Sequence, residues 1–239
     1  MKRALVTGGS GAIGSAIAAQ LAADGHHVYV HANSGAARAD AVVDKIRGAG
    51  GNAEPIVFDV SDGAATEAAL TRLLEAGAVQ ILVNNAGIHD DAVMPGMRRE
   101  QWTRVIDVSL NGFFNVTQPL LMPMIATRWG RIVNISSVSA IVGNRGQTNY
   151  AAAKAGLHGA TRSLSLEVAS RGITVNTVAP GIIASTMSDE AFPKDMIDRL
   201  VPMKRAGKPE EVAALVSFLA SDRAAYISGQ LISINGGMI

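Results

Sequence analysis

The sequence predicts one α/β domain, a doubly wound parallel sheet of about seven strands with helices on both faces. Three observations predict it. Short β-rich apolar runs alternate with Ala-rich helical patterns along all 239 residues, and that alternation is the mark of a parallel sheet closed by right-handed crossovers. The chain is 48% hydrophobic and 17% charged, enough apolar material for one large core. The first strand runs straight into a glycine-rich turn followed at once by a helical pattern.

The expected strands are Ala4–Thr7, Val28–His31, Pro55–Phe58, Ile81–Val83, Arg131–Ile135, Thr174–Val178 and Leu231–Ile234. Between them lie amphipathic runs such as Ile13, Ile17 and Leu21, spaced by four. No repeat, linker or low-complexity tract interrupts the rhythm, so residues 1–239 read as a single dinucleotide-binding and catalytic domain. Only residues 182–209 fall outside it, with prolines at 193, 202 and 209 and with Met187, Met196 and Met203. Methionine is a flexible apolar filler, and this segment is expected to cover a substrate.

A formal net charge of +1 gives no global field for nucleic acid or a membrane surface. The absence of cysteine excludes disulfides, thiol catalysis and thiolate-held metal, and no metal site is expected. The N-terminus opens on a strand, and no apolar run of membrane-spanning length is seen, which fits a soluble cytoplasmic protein.

The turn after the first strand reads Thr7-Gly8-Gly9-Ser10-Gly11-Ala12-Ile13-Gly14. Gly9, Gly11 and Gly14 match G-x-G-x-x-G between a strand and a helix, the setting in which glycines admit a pyrophosphate to a helix N-terminus. This makes the expected domain Rossmann-type, with Gly8, Ser10, Gly11, Ala12, Ile13 and Gly14 as cofactor contacts. An acid after strand two would bind the ribose 2′-hydroxyl of NAD. Here the run is His31-Ala32-Asn33-Ser34-Gly35. With no carboxylate to repel a 2′-phosphate, NADP(H) is expected, held by Asn33 and Ser34, with Arg38 or His31 adding charge. Asp59 and Val60 end strand three, where Asp59 either meets the adenine amine or caps the next helix. Asn84, Ala86 and Gly87 follow strand four, where small residues let backbone approach a ligand.

Tyr150 and Lys154 are four apart on a helical run and share a face. An ammonium near a phenol favours the phenolate, so the pair predicts proton exchange with a substrate oxygen. Ser137, just past the strand ending at Ile135, is expected to hold the same oxygen.

Thr7-Gly8…Gly14, Asn84-Asn85-Ala86-Gly87, Ser137, Tyr150-x-x-x-Lys154 and Pro180-Gly181, in this order, resemble the short-chain dehydrogenase/reductase family over the full length. The runs Gly143–Gln147, Arg171–Asn176 and Ile234–Gly237 are most similar to β-ketoacyl-acyl-carrier-protein reductases. Pro202–Arg205 and Ile232–Met238 resemble a branch associated with bacterial aryl polyene pigments. The resemblance implies Tyr150 as general acid, Lys154 holding the nicotinamide ribose and lowering the Tyr150 pKa, and Ser137 orienting the carbonyl. Pro180, Gly181, Ile183 and Ser185 would meet the nicotinamide. Acyl carrier protein would dock at Arg128 and Arg171 near the active-site mouth, and the assembly would be a homotetramer.

Two departures stand out. Ala12 replaces a usual Gly, and Gly11 a usual basic residue that touches the 2′-phosphate. Ser109 stands where the family commonly has a proton-relay Asn, and Asn111, two residues on, points elsewhere on a helix. The leading expectation is an NADPH-dependent reductase of 3-oxoacyl thioesters. The alternatives are a dehydrogenase of a small alcohol, sugar or acyl-CoA, and a non-catalytic dinucleotide-binding regulator, for which Ser109 is the one support.

Overall fold

The structure is a computed structural model that describes residues 1–185 and 192–239. Met187 of the expected substrate-covering segment lies outside the described residues.

Seven parallel strands form one sheet in the order β3-β2-β1-β4-β5-β6-β7. They are β1 (Arg3–Val6), β2 (His27–Ala32), β3 (Asn52–Val57), β4 (Ile81–Asn84), β5 (Gly130–Ile135), β6 (Ile173–Pro180) and β7 (Leu231–Ile234). All seven expected strands are present. β3 begins three residues before the expected Pro55. A proline removes a ladder donor and so reads as a strand start, but β3 is an edge strand paired only with β2, where the missing N–H costs nothing.

Alternate strand residues feed two cores, as a strand's two-residue period requires. Ala4 and Val6 pack with α1 (Ala12–Ala23), α2 (Ala36–Gly48) and α9 (Pro209–Ala220) on one face. Leu5 packs with α3 (Gly63–Glu75), α5 (Gly112–Ala126) and α7 (Thr148–Val168) on the other. Among the described residues the remaining α-helices are α4 (Arg99–Ile106), the single turn α6 (Ser139–Val142) and α8 (Lys194–Leu200).

Strand order reverses direction between β1 and β4, so the loops leaving their carboxyl ends part and open a crevice, the place where such sheets bind ligands. A chain of buried amides and hydroxyls fixes the strands beneath it. Asn84 Nδ2 donates to Thr117 Oγ1 (3.0 Å) and Asn134 Oδ1 (2.9 Å), Asn134 Nδ2 donates to Thr161 Oγ1 (2.8 Å), and Thr161 meets the Thr177 hydroxyl at 2.7 Å. Every member finds a partner, so the network costs little desolvation and sets one register.

Between α4 and α5 the backbone makes a π turn, Asp107–Asn111. Such an inserted residue often marks a functional position. It turns Ser109 inward, 3% exposed, while Asn111 faces solvent and bonds Asp107 Oδ1 at 2.7 Å.

Candidate active site

The glycine turn after β1 is fixed by what a side chain there would strike. Gly8 has φ +60°, a left-handed conformation natural to glycine. A Cβ on Gly14 would lie 2.2 Å from Gly8 O. Gly11 is the N-cap of α1 and no side chain caps the helix, so its first N–H groups and dipole are left for an anion. Asn85 pins the turn from the opposite loop. Its Nδ2 donates to Thr7 O (2.9 Å) and Gly8 O (3.1 Å), and Thr7 Oγ1 accepts the N–H groups of Asn85 (2.9 Å) and Ala86 (3.0 Å). The residues present therefore fit a dinucleotide pyrophosphate.

His31 does not add charge to this site, as the sequence reading had it. It is buried, its Nδ1 accepts the Gly8 N–H at 3.0 Å, and its Nε2 donates to Phe58 O at 2.8 Å. Burial drops its pKa to about 4, against the opposing pull of the Phe58 bond and Asp59. A neutral His31 is a strut under the turn. Asn33 and Ser34 stand exposed past β2. Arg38 folds back against the next residue, its Nε 2.8 Å from where a Cβ on Gly35 would sit. Asp62, accepting from Ala65 N at 3.0 Å, caps α3. Asp59 is thereby released from capping, and its Oδ1 takes the Ser61 N–H and hydroxyl at 2.8 and 2.7 Å. Val60 lies buried beside it. The Asn84 amide nitrogen turns into the sheet, as described, so Asn84 serves the crevice by holding β4.

Backbone pairing of β5 with β6 continues past the strand end, Ser136 N to Val178 O and Val138 N to Pro180 O, both 2.8 Å, and carries Ser137 to the rim. Ile183 follows Pro180 and Gly181 and forms a parallel bridge with Gly207. Ser185 lies two residues past Ile183. α7 then brings Tyr150 and Lys154 to Ser137. Lys154 is 3% exposed and its Nζ donates to Ile135 O at 2.9 Å. A Cβ on Gly87 would lie 3.0 Å from that Nζ and 3.6 Å from Ser109 Oγ, so Gly87 leaves the amine its space. Ser109 Oγ is buried without a protein partner among the described residues.

The expectation that Lys154 pulls the Tyr150 pKa down is corrected here. Burial pushes the Tyr150 phenol up, and the group that pulls it back is the Ser137 hydroxyl, hydrogen-bonded to it. Lys154 Nζ lies 5.9 Å from the ring centroid, and burial lowers its own pKa to about 8. Tyr150 is thus a protonated phenol at neutral pH, paired with Ser137 and facing the crevice.

A family model described as Enoyl-(Acyl carrier protein) reductase matches residues 8–239. The chain is 47% identical over 236 residues to the 3-oxoacyl-[acyl-carrier-protein] reductase FabG of Aggregatibacter actinomycetemcomitans, covering 98% of each chain. The chain belongs to the short-chain dehydrogenase/reductase family. Proteins with the same printed name from Staphylococcus aureus and Thermotoga maritima are 44% and 42% identical, over 99% and 100% of this chain and 98% of theirs. The family's oxidoreductases work with a nicotinamide dinucleotide, which suits the glycine turn. No helix among the described residues is long and apolar enough to cross a membrane.

The structure assembles Ser137, Tyr150, Lys154, Gly87 and Ser109 at one place, and the glycine turn beside it. It does not bring Arg128 and Arg171 there. Both are exposed before the first residues of β5 and β6, which pair as Gly130 with Ile173. That is the amino end of the sheet, roughly 20 Å from Ser137 at about 3.3 Å per strand residue. Their expected position near the active-site mouth fails within one protomer, because position in sequence carried no information about which sheet end they join. Asn side chains in the Asn84-Asn85 run are expected from the sequence to pin neighbouring backbone, as Asn85 does, whereas His89 and Gln147 beside Tyr150 carry no such signal.

The His31 strut has a pH signature. Its folded pKa lies below the ordinary value of 6.5, so the unfolded chain binds the extra proton, and stability is lost as pH falls from 6.5 toward 4. Linkage puts the loss from this one group at about 2 kcal/mol between pH 7 and pH 5. His26, His89 and His158, also lowered by burial, act in the same direction. Urea unfolding at the two pH values is expected to show this drop, and His31→Gln to remove about 2 kcal/mol of it. An unchanged drop in His31→Gln contradicts the assignment.

Proposed function

We propose that this protein reduces 3-oxoacyl thioesters, carried on an acyl carrier protein, to 3-hydroxyacyl thioesters with NADPH. The observation that carries the reading is the Ser137–Tyr150 pair, a hydroxyl bonded to a phenol kept protonated by burial, two donors for one carbonyl oxygen. The family model's description names an enoyl substrate, whereas the curated relatives, matched over nearly their whole length, are named for the 3-oxoacyl one, which favours the carbonyl.

A dinucleotide held at the glycine turn would supply the hydride that the carbonyl carbon takes up. Ser137 holds the carbonyl oxygen and polarises it. As the C=O π pair moves onto oxygen, the Tyr150 hydroxyl gives up its proton to form the alcohol, leaving a phenolate. Lys154, titrating at about 8, stands 5.9 Å from the Tyr150 ring centroid as the group that would help return the proton, while its bond to Ile135 O keeps the amine in place. Ser109, unpartnered beside Gly87 and Lys154, has the burial and polarity to share an ordered water with the amine and so to stand in for the relay Asn.

NADPH is favoured over NADH by the lack of an acid after β2 and by the Arg38 guanidinium lying against Gly35, next to the exposed Asn33 and Ser34. Asp59, Val60, Ala86, Gly181, Ile183 and Ser185 would complete the cofactor contacts. A homotetramer is supported by apolar side chains left open on the outer surface of α5 and α7, Phe114, Met122 and Leu166, 63, 72 and 84% exposed. The tetramer also bears on carrier docking. A carrier held at Arg128 and Arg171 would serve the site of a neighbouring protomer, because its own protomer's site lies at the other sheet end.

The defining experiment follows dinucleotide oxidation with acetoacetyl thioester on a carrier, beside small ketones and sugars. Selective turnover of the thioester is expected, and turnover of ketones or sugars alone contradicts the reading. Tyr150→Phe is expected to keep dinucleotide affinity while kcat falls by ~10²–10⁴-fold; a near-normal kcat removes Tyr150 from the role. Asn33→Asp is expected to shift preference toward NADH by repelling the 2′-phosphate, a reading undone if the native protein already has the higher kcat/KM with NADH. Ser109→Asn is expected to change kcat by less than about tenfold and Ser109→Ala to lower it further. A rise of orders of magnitude in Ser109→Asn would mean that the native relay is broken.

A further inference from the structure

His89 lies directly against the Tyr150 ring, on the loop that leaves β4. The two rings stack with centroids 4.1 Å apart and planes 29° from parallel. The imidazole side chain is 44% exposed, so it forms part of the open wall beside the phenol. Its protonation state follows from its neighbours. Gln147, the N-cap residue of α7, accepts from Asn144 Nδ2 through Oε1 at 3.0 Å and donates from Nε2 to Asp91 Oδ2 at 2.8 Å. These two partners fix which end of the amide is nitrogen. That nitrogen also stands 3.3 Å from His89 Nδ1, so Nδ1 is the acceptor and the ring proton sits on Nε2. Burial and Lys154 lower the His89 pKa, with Asp91, 3.9 Å from Nδ1, opposing them. Nε2–H has no partner among the described residues. Beside the acid that protonates one oxygen, the chain thus holds a second, oriented and uncommitted N–H donor.

We propose that His89 is a specificity-determining residue whose Nε2–H donates to the second carbonyl of a β-dicarbonyl substrate, the thioester oxygen, while Ser137 and Tyr150 hold the ketone oxygen. The inference rests on the carbonyl-reductase reading above and narrows it. In a 3-oxoacyl thioester the two carbonyls are separated by a single methylene, so an acceptor one short step from the reacting oxygen meets a donor stacked on the residue that binds that oxygen. Simple ketones and sugars have no such acyl oxygen, and a site with an oriented donor discriminates against substrates that leave it unpaired.

His89→Phe keeps a flat ring for the stack and deletes the donor, whereas His89→Gln restores a donor without the ring. The probes are the acetoacetyl thioester of a short carrier mimic and a methyl ketone of equal length with a methylene in place of the thioester carbonyl. His89→Phe is expected to raise KM for the thioester by about tenfold with kcat little changed. It should leave kcat/KM for the plain ketone within about twofold, and His89→Gln should recover part of the lost thioester affinity. An equal loss on both substrates overturns the proposal and makes His89 only a support for the Tyr150 ring. An unchanged thioester KM in His89→Phe overturns it as well, leaving the reductase reading intact. Wild-type protein that does not reduce the thioester at all overturns both.

Discussion

The bond between Lys154 Nζ and Ile135 O (2.9 Å) is the constraint on which the rest of the site depends. An amine enclosed in protein is costly as a cation unless it is paired, and the carbonyl at the end of β5 is its one protein partner among the described residues. Burial accordingly brings its pKa to about 8. The bond ties α7 to the rim of the sheet one turn after Tyr150. It therefore fixes where the phenol stands relative to Ser137, which leaves the same strand. Gly87 has to be small for the same reason, since any Cβ there would press on the amine.

Around that bond the molecule is preorganised by polar contacts between loops distant in sequence. Thr7 and Asn85 lock the first and fourth βα loops together, and His31 holds Gly8 from the second strand. The amide and hydroxyl chain from Thr117 to Thr177 pins β4, β5 and β6 beneath them. Crevice, phenol and amine are thus held by contacts already made, the preorganisation that stabilising developing charge requires of a site.

The sheet was legible because its signals are local. Alternation of apolar runs sets strand positions, and the glycine turn and the i,i+4 spacing of Tyr150 and Lys154 each act within a few residues. The errors arose where the answer lies far along the chain. His31 is neutral because it is buried, held between Gly8 and Phe58, 23 and 27 residues away. Tyr150 is governed by enclosure and by Ser137 more than by the lysine on its own helix, and no spacing rule encodes enclosure. Arg128 and Arg171 fall at the wrong end of the sheet for one protomer because a motif position does not say which end of a strand it joins. Ser109 was legible as a departure, but its burial depends on a π turn that the sequence pattern does not announce. His89 was passed over because an isolated histidine after a strand has no periodic signature, and its role emerges only from the stacked ring and the amide that fixes its tautomer.

The central claim is that burial sets the proton inventory of the site, holding Tyr150 as a phenol and bringing Lys154 down near neutrality. The chain has three tyrosines, of which Tyr226 is fully exposed and serves as an internal reference. An NMR titration with ¹³Cζ-labelled tyrosine and ¹⁵Nζ-labelled lysine reads both groups in the protein without cofactor. The account predicts that Tyr150 ionises only above Tyr226 and that Lys154 titrates at about 8. A Tyr150 that ionises below Tyr226, with Lys154 still charged above pH 10, would contradict it and return control of the phenol to the lysine charge.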